Sequence, residues 1–140
     1  MCYQCDILES WPKNITSVDA IITSPPFFDS TKFYMTNWMR YWFCGWGKDD
    51  FDQQSMSFIE VLQKKSFSSY DIIFKACYDR LKMYGIVVFH LGYSDKCNMA
   101  VELEPLANKY FEVLDIFTET VEHCEKHGIT DKGSVKSHQY

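Results

Sequence analysis

The sequence predicts an α/β protein that is built around a doubly wound, mostly parallel sheet. Two compact apolar runs, 18–23 and 86–91, have the length of strands and carry apolar side chains for both faces of a sheet. A long segment with helical spacing, 57–82, lies between them. The order strand, helix, strand is typical of parallel sheets whose faces are covered by helices.

The first of these strands has a well-defined end. Residues 18–23 run into Pro25 and Pro26, and proline has no N–H group with which to continue a sheet. Before this strand, residues 1–5 predict a short strand and residues 6–11 predict a short helix. The sequence therefore predicts a first strand at the N-terminus and a second strand that ends at the double proline.

The central helical segment is predicted to break near 66–69 and to end at Gly85, since glycine commonly terminates helices. Residues 28–56, which precede this segment, are rich in aromatic side chains and have weak periodicity, so we interpret them as an insertion or lid. The second half of the segment carries five apolar side chains on one helical face: Tyr70, Ile73, Phe74, Cys77 and Leu81.

The C-terminal third predicts a helix, two strands and a loop. Residues 99–109 predict a helix with a kink or a later start at Pro105, and residues 111–118 predict a third strand. Residues 122–137 predict a polar loop, and residues 138–140 predict the beginning of a last strand.

Composition limits the class of protein. The 140 residues suffice for one domain, and 46% hydrophobic residues suffice for a core. The first ten residues lack the basic start of a signal peptide, and no apolar run approaches the roughly 20 residues of a membrane span. We expect a cytoplasmic protein with reduced cysteines and no membrane partner.

The net charge of the chain is −5, which disfavours binding to the negatively charged phosphates of a nucleic acid. A nucleic acid would therefore bind at a local basic surface, or would be held mainly by parts that lie outside this chain.

Three local signals fall where the predicted fold places ligands. In doubly wound sheets, ligands bind beyond the carboxyl ends of the strands. Asp6, residues 24–27 and residues 90–93 each follow or end a predicted strand, so we expect them along one rim. His90 itself is interpreted as a core or rim histidine rather than as a general base.

The segment 24–27, Ser-Pro-Pro-Phe, has the residue types needed to activate an exocyclic amine of a nucleobase. Such an amine is a poor nucleophile, because its lone pair is delocalised into the ring. The Ser24 hydroxyl and the Pro25 carbonyl can accept its N–H groups, and the stiff prolines aim these acceptors in advance. The base must leave the duplex stack, and stacking it on the Phe27 ring would contribute about 1–3 kcal/mol.

This pattern resembles the DNA amino-methyltransferases of restriction-modification systems, which methylate cytosine N4 or adenine N6. Their signature is Asp, Asn or Ser, then Pro-Pro, then an aromatic residue, after a buried strand. Here the run 18–27 is Val-Asp-Ala-Ile-Ile-Thr-Ser-Pro-Pro-Phe. The resemblance extends to Cys-Asp-Ile-Leu-Glu at 5–9 and to Arg-Leu-Lys-Met-Tyr-Gly at 80–85, and so covers most of the chain. The serine variant favours cytosine N4.

The resemblance implies a Rossmann-like, S-adenosylmethionine-dependent methyltransferase fold. It implies direct methyl transfer from that cofactor to a flipped base of double-stranded DNA, with no metal. Asp6 would accept from the amino group of the cofactor's adenine. The expected site residues fall into three groups: catalytic Ser24, Pro25, Pro26 and Phe27; cofactor-binding Asp6, Ile7 and Thr23; and the adjoining Phe28 and Asp29 for substrate.

One motif of the family is missing from the sequence. The family's glycine-rich turn, of the Phe-x-Gly-x-Gly kind, holds the methionine end of the cofactor, because glycine permits close backbone approach. Gly45 and Gly47 follow no predicted strand. We therefore expect residues 1–140 to be a single but partial catalytic domain: a fragment, a degenerate homologue, or one chain of a pair whose second chain carries the motif.

Other interpretations stay open. The same chemistry serves RNA or a protein amide, and a non-catalytic remnant would bind nucleic acid or a partner chain. Residues 28–56 line a base pocket in one interpretation and form a packed lid or an interface in another. The segment 24–27 alone also fits a ligand of proline-binding domains. A weaker zinc hypothesis joins the residues Cys2, Cys5, His123, Cys124 and His127.

Overall fold

The structure of the chain is a computed structural model that describes residues 2–9, 11–29, 32–120 and 135–140. It confirms a mixed α/β protein. The described strands form one parallel pair and three antiparallel pairs. The described strands therefore form a two-stranded parallel sheet and a four-stranded antiparallel sheet, and not one mostly parallel sheet as predicted.

The parallel pair is the part that the sequence predicted best. β1 is Val18–Thr23 and β2 is Leu81–Phe89, and their register pairs Thr23 with Phe89. β1 ends before the double proline, as predicted. β2 begins earlier than predicted, because residues 82–85 form a bulge opposite Asp19 rather than the end of a helix. Gly85 therefore lies within a strand and does not terminate a helix.

The line of β2 continues after a one-residue gap at His90. β3 is Leu91–Ser94, and the short β4, Cys97–Asn98, folds back on it. β5 is Thr118–Thr120 and β6 is Val135–Gln139. β6 lies between β3 and β5 and is antiparallel to both. The last predicted strand is thus confirmed, although it begins at Val135, within the predicted loop. Residues 122–134 of that loop lie outside the described residues.

The aromatic-rich residues 28–56 contain short helices that their weak periodicity did not predict. Each is too short to repeat an apolar face. Their bounds are α1, Phe33–Thr36; α2, Trp38–Phe43; α3, Lys48–Gln53; and a 3₁₀ helix, Gln54–Ser57, which is followed by α4, Ile59–Leu62.

Two longer helices build the core. α5 is Ser69–Tyr78 and α6 is Met99–Ala107. The break before α5 lies where it was predicted, and the Ser66 hydroxyl there accepts from the Ser68 N–H at 3.1 Å. α6 begins at Asn98, whose side chain accepts from the Val101 N–H, and it retains Pro105 inside it. The buried apolar side chains of the core come from α5, α6 and β3: Tyr70, Ile73, Phe74, Cys77, Leu91, Met99, Ala100 and Leu103.

The two faces of the parallel pair are not equally covered. Val87 and Phe89 pack against the core, and the Phe89 ring lies 5.0 Å from that of Phe74. On the other face, the Ile22 side chain is 79% exposed and that of Ile86 is 56% exposed. The apolar runs predicted burial on both faces, whereas the described helices cover one.

Three predicted elements do not form in the described residues, except that the third reaches β5 at Thr118. Residues 2–5 adopt no strand, and the predicted helix at 6–11 is reduced to a turn in which Asp6 Oδ1 accepts from the Leu8 N–H at 2.9 Å. Residues 111–117 alternate in the manner of a strand but are irregular until Phe117, which exchanges two 2.9 Å backbone hydrogen bonds with Tyr140. A strand needs a neighbour with which to pair, and alternation alone does not supply one.

None of the described helices has both the length and the apolar character that a bilayer span requires.

Replacing Gly85 with Ala is expected to lower the free energy of unfolding by about 1–3 kcal/mol, the usual cost of overpacking. A Cβ at Gly85 would lie 2.4 Å from Leu81 Cδ2, 3.0 Å from the Lys82 carbonyl oxygen and 3.2 Å from the Asp19 carbonyl oxygen, so the Leu81 side chain must move and the backbone on both sides must yield slightly. Urea unfolding followed by circular dichroism measures the change. Gly47→Ala is the matched control, since its Cβ would meet nothing closer than 3.8 Å. If Gly85→Ala were as stable as the native chain, the bulge would be wrong.

Candidate functional site

The Ser-Pro-Pro-Phe loop, residues 24–27, begins at the carboxyl end of β1. The last β1 residue, Thr23, accepts a 2.8 Å hydrogen bond from the His90 N–H through its carbonyl oxygen. This bond carries the parallel pairing one residue beyond β2. The loop therefore starts beside the gap between β2 and β3, at the position where ligands bind in open α/β sheets.

Ser24 and His90 meet at this point. Ser24 Oγ lies 3.1 Å from His90 Nδ1, which is hydrogen-bonding distance. The two residues belong to neighbouring parallel strand lines, so their side chains stand on the same face of the sheet. The structure thus joins two of the three predicted rim signals.

The His90 ring is enclosed by three other aromatic rings. The Tyr140 ring stacks on it at 4.8 Å and 8°, while the rings of Phe27 and His138 stand nearly perpendicular to it at 5.1 Å and 4.6 Å. Burial is the main reason that the pKa of His90 is lowered, and the nearby His138 lowers it further. The enclosure therefore favours a neutral imidazole.

The loop is anchored from below by a buried polar pair. Gln63 Nε2 donates to the Pro26 carbonyl at 3.2 Å, and Gln63 Oε1 accepts from the Tyr70 hydroxyl at 3.0 Å. The side chains of Gln63 and Tyr70 are 2% and 0% exposed. A buried amide with both ends satisfied fixes its partners, because breaking either bond leaves a polar group unpaired. Sequence reasoning missed this pair, since Gln63 carries no catalytic signal.

Phe27 and Phe28 hold the far end of the loop. A Cβ at Gly92 would lie 2.7 Å from the Phe27 ring, so Phe27 packs directly on the backbone of β3. The Phe28 N–H donates to Met99 Sδ at 3.2 Å, and the Phe28 ring stacks on Phe67 at 5.9 Å. Both aromatic residues therefore have packing roles that the sequence did not predict, in addition to the substrate roles that the resemblance implies.

Asp29 is fixed at the exit of the loop. It adopts a left-handed backbone conformation, φ 52°, and its carboxylate forms ion pairs of 2.5 Å with Lys64 and Lys96. The hydrogen bonds from these two lysines hold the pKa of Asp29 at about 2, below its usual range. The residue thus cross-links the loop to the segments that follow α4 and β3.

The three predicted cofactor-binding residues, Asp6, Ile7 and Thr23, do not form a cluster with the loop in the way that Ser24 and His90 do. The exposed Asp6 carboxylate caps its own turn, and among the described residues it is not hydrogen bonded to the loop. Ile7 is half-buried and packs against the core. Thr23 ends β1 at the rim. Of the three, only Thr23 is placed beside Ser24 by the described contacts.

Residues of the last two strands complete the same sheet face, and sequence reasoning missed them. His138 and Tyr140 stand beside His90, and the Tyr140 hydroxyl donates to Glu119 of β5 at 3.2 Å. Their spacing of two residues is the available signal, because alternate residues of a strand share a face. That signal could not be used without knowing that β6 pairs with β3.

The aromatic-rich segment has a packed inner side and an exposed outer side. The Tyr41 and Trp46 rings stack at 4.4 Å. The buried Glu60 carboxylate accepts from the Phe33 and Tyr34 N–H groups and so holds the start of α1. The outer side carries exposed side chains of α1 and α2: Phe33, Met35, Trp38, Met39, Trp42 and Phe43. The inner side is therefore packed, and the interpretation of the segment as a lid stays a prediction.

Two concave regions adjoin the site. One, of about 540 Å³, lies beside the loop and is lined by Phe28, Gln63 and Lys96 among others. The other, of about 640 Å³, is mainly apolar and lies between β2, α6 and residues 111–117. The first is the one that touches a predicted site residue.

The described residues include only two of the five predicted zinc ligands and do not form a zinc site. Cys2 and Cys5 are exposed free thiols, and His123, Cys124 and His127 lie outside the described residues.

Comparisons with protein-family models, with curated proteins and with solved structures found no match to this chain.

Replacing Gln63 with Leu is expected to cost about 1–3 kcal/mol for each buried group left unpaired, here the Pro26 carbonyl and the Tyr70 hydroxyl. Tyr70→Phe removes one of the two bonds and should cost less. Urea unfolding of Gln63→Leu, of Tyr70→Phe and of the double variant measures the coupling free energy between the two side chains. This coupling should stabilise the native chain. Additive effects with no coupling would contradict the Gln63–Tyr70 bond.

Replacing Asp29 with Asn is expected to lower the stability at pH 7 and to have little effect near pH 2. Since the folded-state pKa of about 2 is below the usual carboxyl value of 3.8, the stabilisation is present above pH 3.8 and is lost as the pH falls through 2. Asn tolerates the left-handed backbone, so the change isolates the charge. Urea midpoints across this pH range measure it.

Asp19→Asn is the control for this series, because Asp19 is 84% exposed in its ion pair with Lys82. A pH-independent loss of stability in Asp29→Asn would contradict the role of the charge.

Proposed function

We propose that this chain transfers a methyl group from S-adenosylmethionine to an exocyclic amine of a DNA base, with cytosine N4 favoured over adenine N6. The observation that carries the proposal is the rigid Ser-Pro-Pro-Phe loop at the carboxyl end of a parallel strand. Its serine lies at the sheet rim and its backbone is anchored by buried groups. In this proposal the chain is a cytoplasmic component of a restriction-modification system.

A parallel pair whose strand line continues into antiparallel strands is compatible with a Rossmann-like methyltransferase fold. Doubly wound sheets commonly carry antiparallel strands at one edge of an otherwise parallel sheet. Here the parallel pair β1 and β2 is followed by the antiparallel strands β6 and β5. We propose that β1 and β2 belong to the parallel part of such a fold.

The loop divides its acceptors between anchoring and chemistry. The Pro26 carbonyl is used for anchoring, since it accepts from Gln63. Among the described residues, no donor reaches the Pro25 carbonyl. Ser24 Oγ and the Pro25 carbonyl are thus the two acceptors proposed for the N–H groups of the target amine. Acceptors that are already in position cost no reorganisation when the reaction occurs, which is the main source of electrostatic catalysis.

The aromatic and charged residues after the serine would hold the substrate. Phe27 is the proposed stacking platform for the flipped base, and its contact with Gly92 fixes the ring. Phe28 and Asp29 are proposed to border the substrate. Lys64 and Lys96 flank Asp29 and give a local basic surface for a phosphate group, in a chain whose net charge is −5.

The chemistry of the proposed cofactor residues fits the adenosine part of S-adenosylmethionine. One oxygen of the exposed Asp6 carboxylate accepts from Leu8, and the other oxygen retains lone pairs for an amino or hydroxyl group. Ile7 offers an apolar surface. When bound, the cofactor supplies the electrophilic methyl group, and the chain's own residues accept and orient the amine.

Ser24→Ala is expected to lower the rate of methyl transfer to unmodified DNA by about 10²–10³-fold, the usual effect of removing one preorganised electrostatic group. Transfer of labelled methyl from S-adenosylmethionine to DNA measures the rate. Ser17→Ala, at an exposed serine before β1, is the matched control and should retain the native rate.

Two outcomes would contradict the proposal. If the native chain neither binds the cofactor nor labels any nucleic acid, then the proposal that this chain is catalytic is wrong. If the label enters RNA but not DNA, the chemistry holds and the substrate is wrong.

A further inference from the structure

His90 is the described side chain that contacts Ser24 through a hydrogen bond, and the proposed mechanism has so far left it without a role. It lies in the gap between β2 and β3, where its backbone N–H donates to the Thr23 carbonyl oxygen. Its ring cannot rotate freely, because Tyr140 stacks on one face at 4.8 Å and Phe27 and His138 meet it nearly at right angles. Its Nδ1 is therefore held at 3.1 Å from Ser24 Oγ.

The chemistry of the target amine decides which atom of this pair should donate. An exocyclic amine presents N–H donors, so Ser24 must present lone pairs to it. A hydroxyl group also carries one proton, which has to point elsewhere. Among the described residues, His90 Nδ1 is the partner within hydrogen-bonding distance of Ser24 Oγ. The proton can be directed there when Nδ1 is unprotonated.

We propose that neutral His90 is a positioning residue for Ser24: its Nδ1 accepts the Ser24 hydroxyl proton and so leaves the Ser24 lone pairs for the target amine. This inference rests on the proposed function. Protonation of His90 reverses the bond, because Nδ1 then donates to Ser24 Oγ and the serine proton turns toward the amine. The Ser24 O–H group then faces the N–H groups of the target amine, and two donors cannot form a hydrogen bond with each other.

The surroundings of His90 keep it neutral at ordinary pH. Burial lowers its pKa, and a positive charge on His138 of β6 would lower it further. Glu119 of β5 acts in the opposite direction and is the smallest of these influences. Ser24 adds a hydroxyl group and Tyr140 adds a stacked phenol ring. The net direction is downward from 6.5, so His90 protonates only in acid.

The proposal also fixes the tautomer. If Nδ1 accepts from Ser24, the neutral ring carries its proton on Nε2. Nε2 is buried and has no hydrogen-bond partner among the described residues. Neither tautomer gives Nε2 a partner there, so the direction of the Ser24 bond decides between them.

Nitrogen-15 NMR of the whole chain, with labelled histidine and without substrate or cofactor, tests the tautomer directly. Above the pKa of His90 we expect Nε2–H in the native chain and a larger share of Nδ1–H in Ser24→Ala. The chain has four histidines, so the signal that disappears in His90→Asn identifies His90 and the one that disappears in His138→Asn identifies its neighbour. His138→Asn should also raise the pKa of His90. A neutral His90 that carries its proton on Nδ1 in the native chain would overturn the proposal.

The pH profile of methyl transfer gives the second test. The native rate should fall about tenfold per pH unit below the pKa of His90 measured by NMR. His90→Asn places a carbonyl oxygen near the position of Nδ1, which accepts from Ser24 but does not titrate. In this variant the acid limb should disappear, and the rate above the pKa of native His90 should lie between that of the native chain and that of Ser24→Ala. If its acid limb stays unchanged, the role of His90 is wrong.

The two tests separate this inference from the proposed function. An Nε2–H tautomer without methyl transfer at any pH would support the direction of the Ser24–His90 bond and overturn the proposed function. Methyl transfer with an Nδ1–H tautomer would support the proposed function and overturn the role of His90.

Discussion

The parallel pairing of β1 with β2 is the constraint on which the candidate site depends. It ends with the bond from the His90 N–H to the Thr23 carbonyl, one residue beyond β2. The double proline then forces the chain out of the sheet, because neither residue can donate a ladder hydrogen bond. Ser24 is consequently delivered to the rim opposite His90. A shift of one residue in this register would turn the serine to the other face.

The loop after this pairing is held by three separate parts of the fold. Gln63, which follows α4, binds the Pro26 carbonyl; Met99 of α6 accepts from Phe28; and Gly92 of β3 receives the Phe27 ring. These contacts are mostly buried, so water cannot replace them when one is lost. The stiffness that the two prolines provide locally is therefore extended to the whole loop by tertiary contacts, as a preorganised acceptor site requires.

The gap at His90 has a second consequence. β2 pairs in parallel with β1, and its continuation β3 pairs in antiparallel with β6. One strand line thus brings the proline loop and the C-terminal strand to the same place. The imidazole of His90 lies where they meet, between the Ser24 hydroxyl and the Tyr140 ring. A histidine that the sequence suggested was a core or rim residue is both half-buried and in contact with the loop.

The sequence by itself determined β1, its end at the prolines, the buried face of α5 and the position of the Ser-Pro-Pro-Phe loop after a strand. Each of these follows from local periodicity or from the missing N–H of proline. Only the tertiary structure decided the bulge at Gly85, the antiparallel return of β6 and the absence of a strand at 111–117. It also decided the contacts of Gln63, Asp29, His90 and Tyr140. Those features depend on which distant segment supplies a pairing edge or a buried partner, and local patterns do not contain that information.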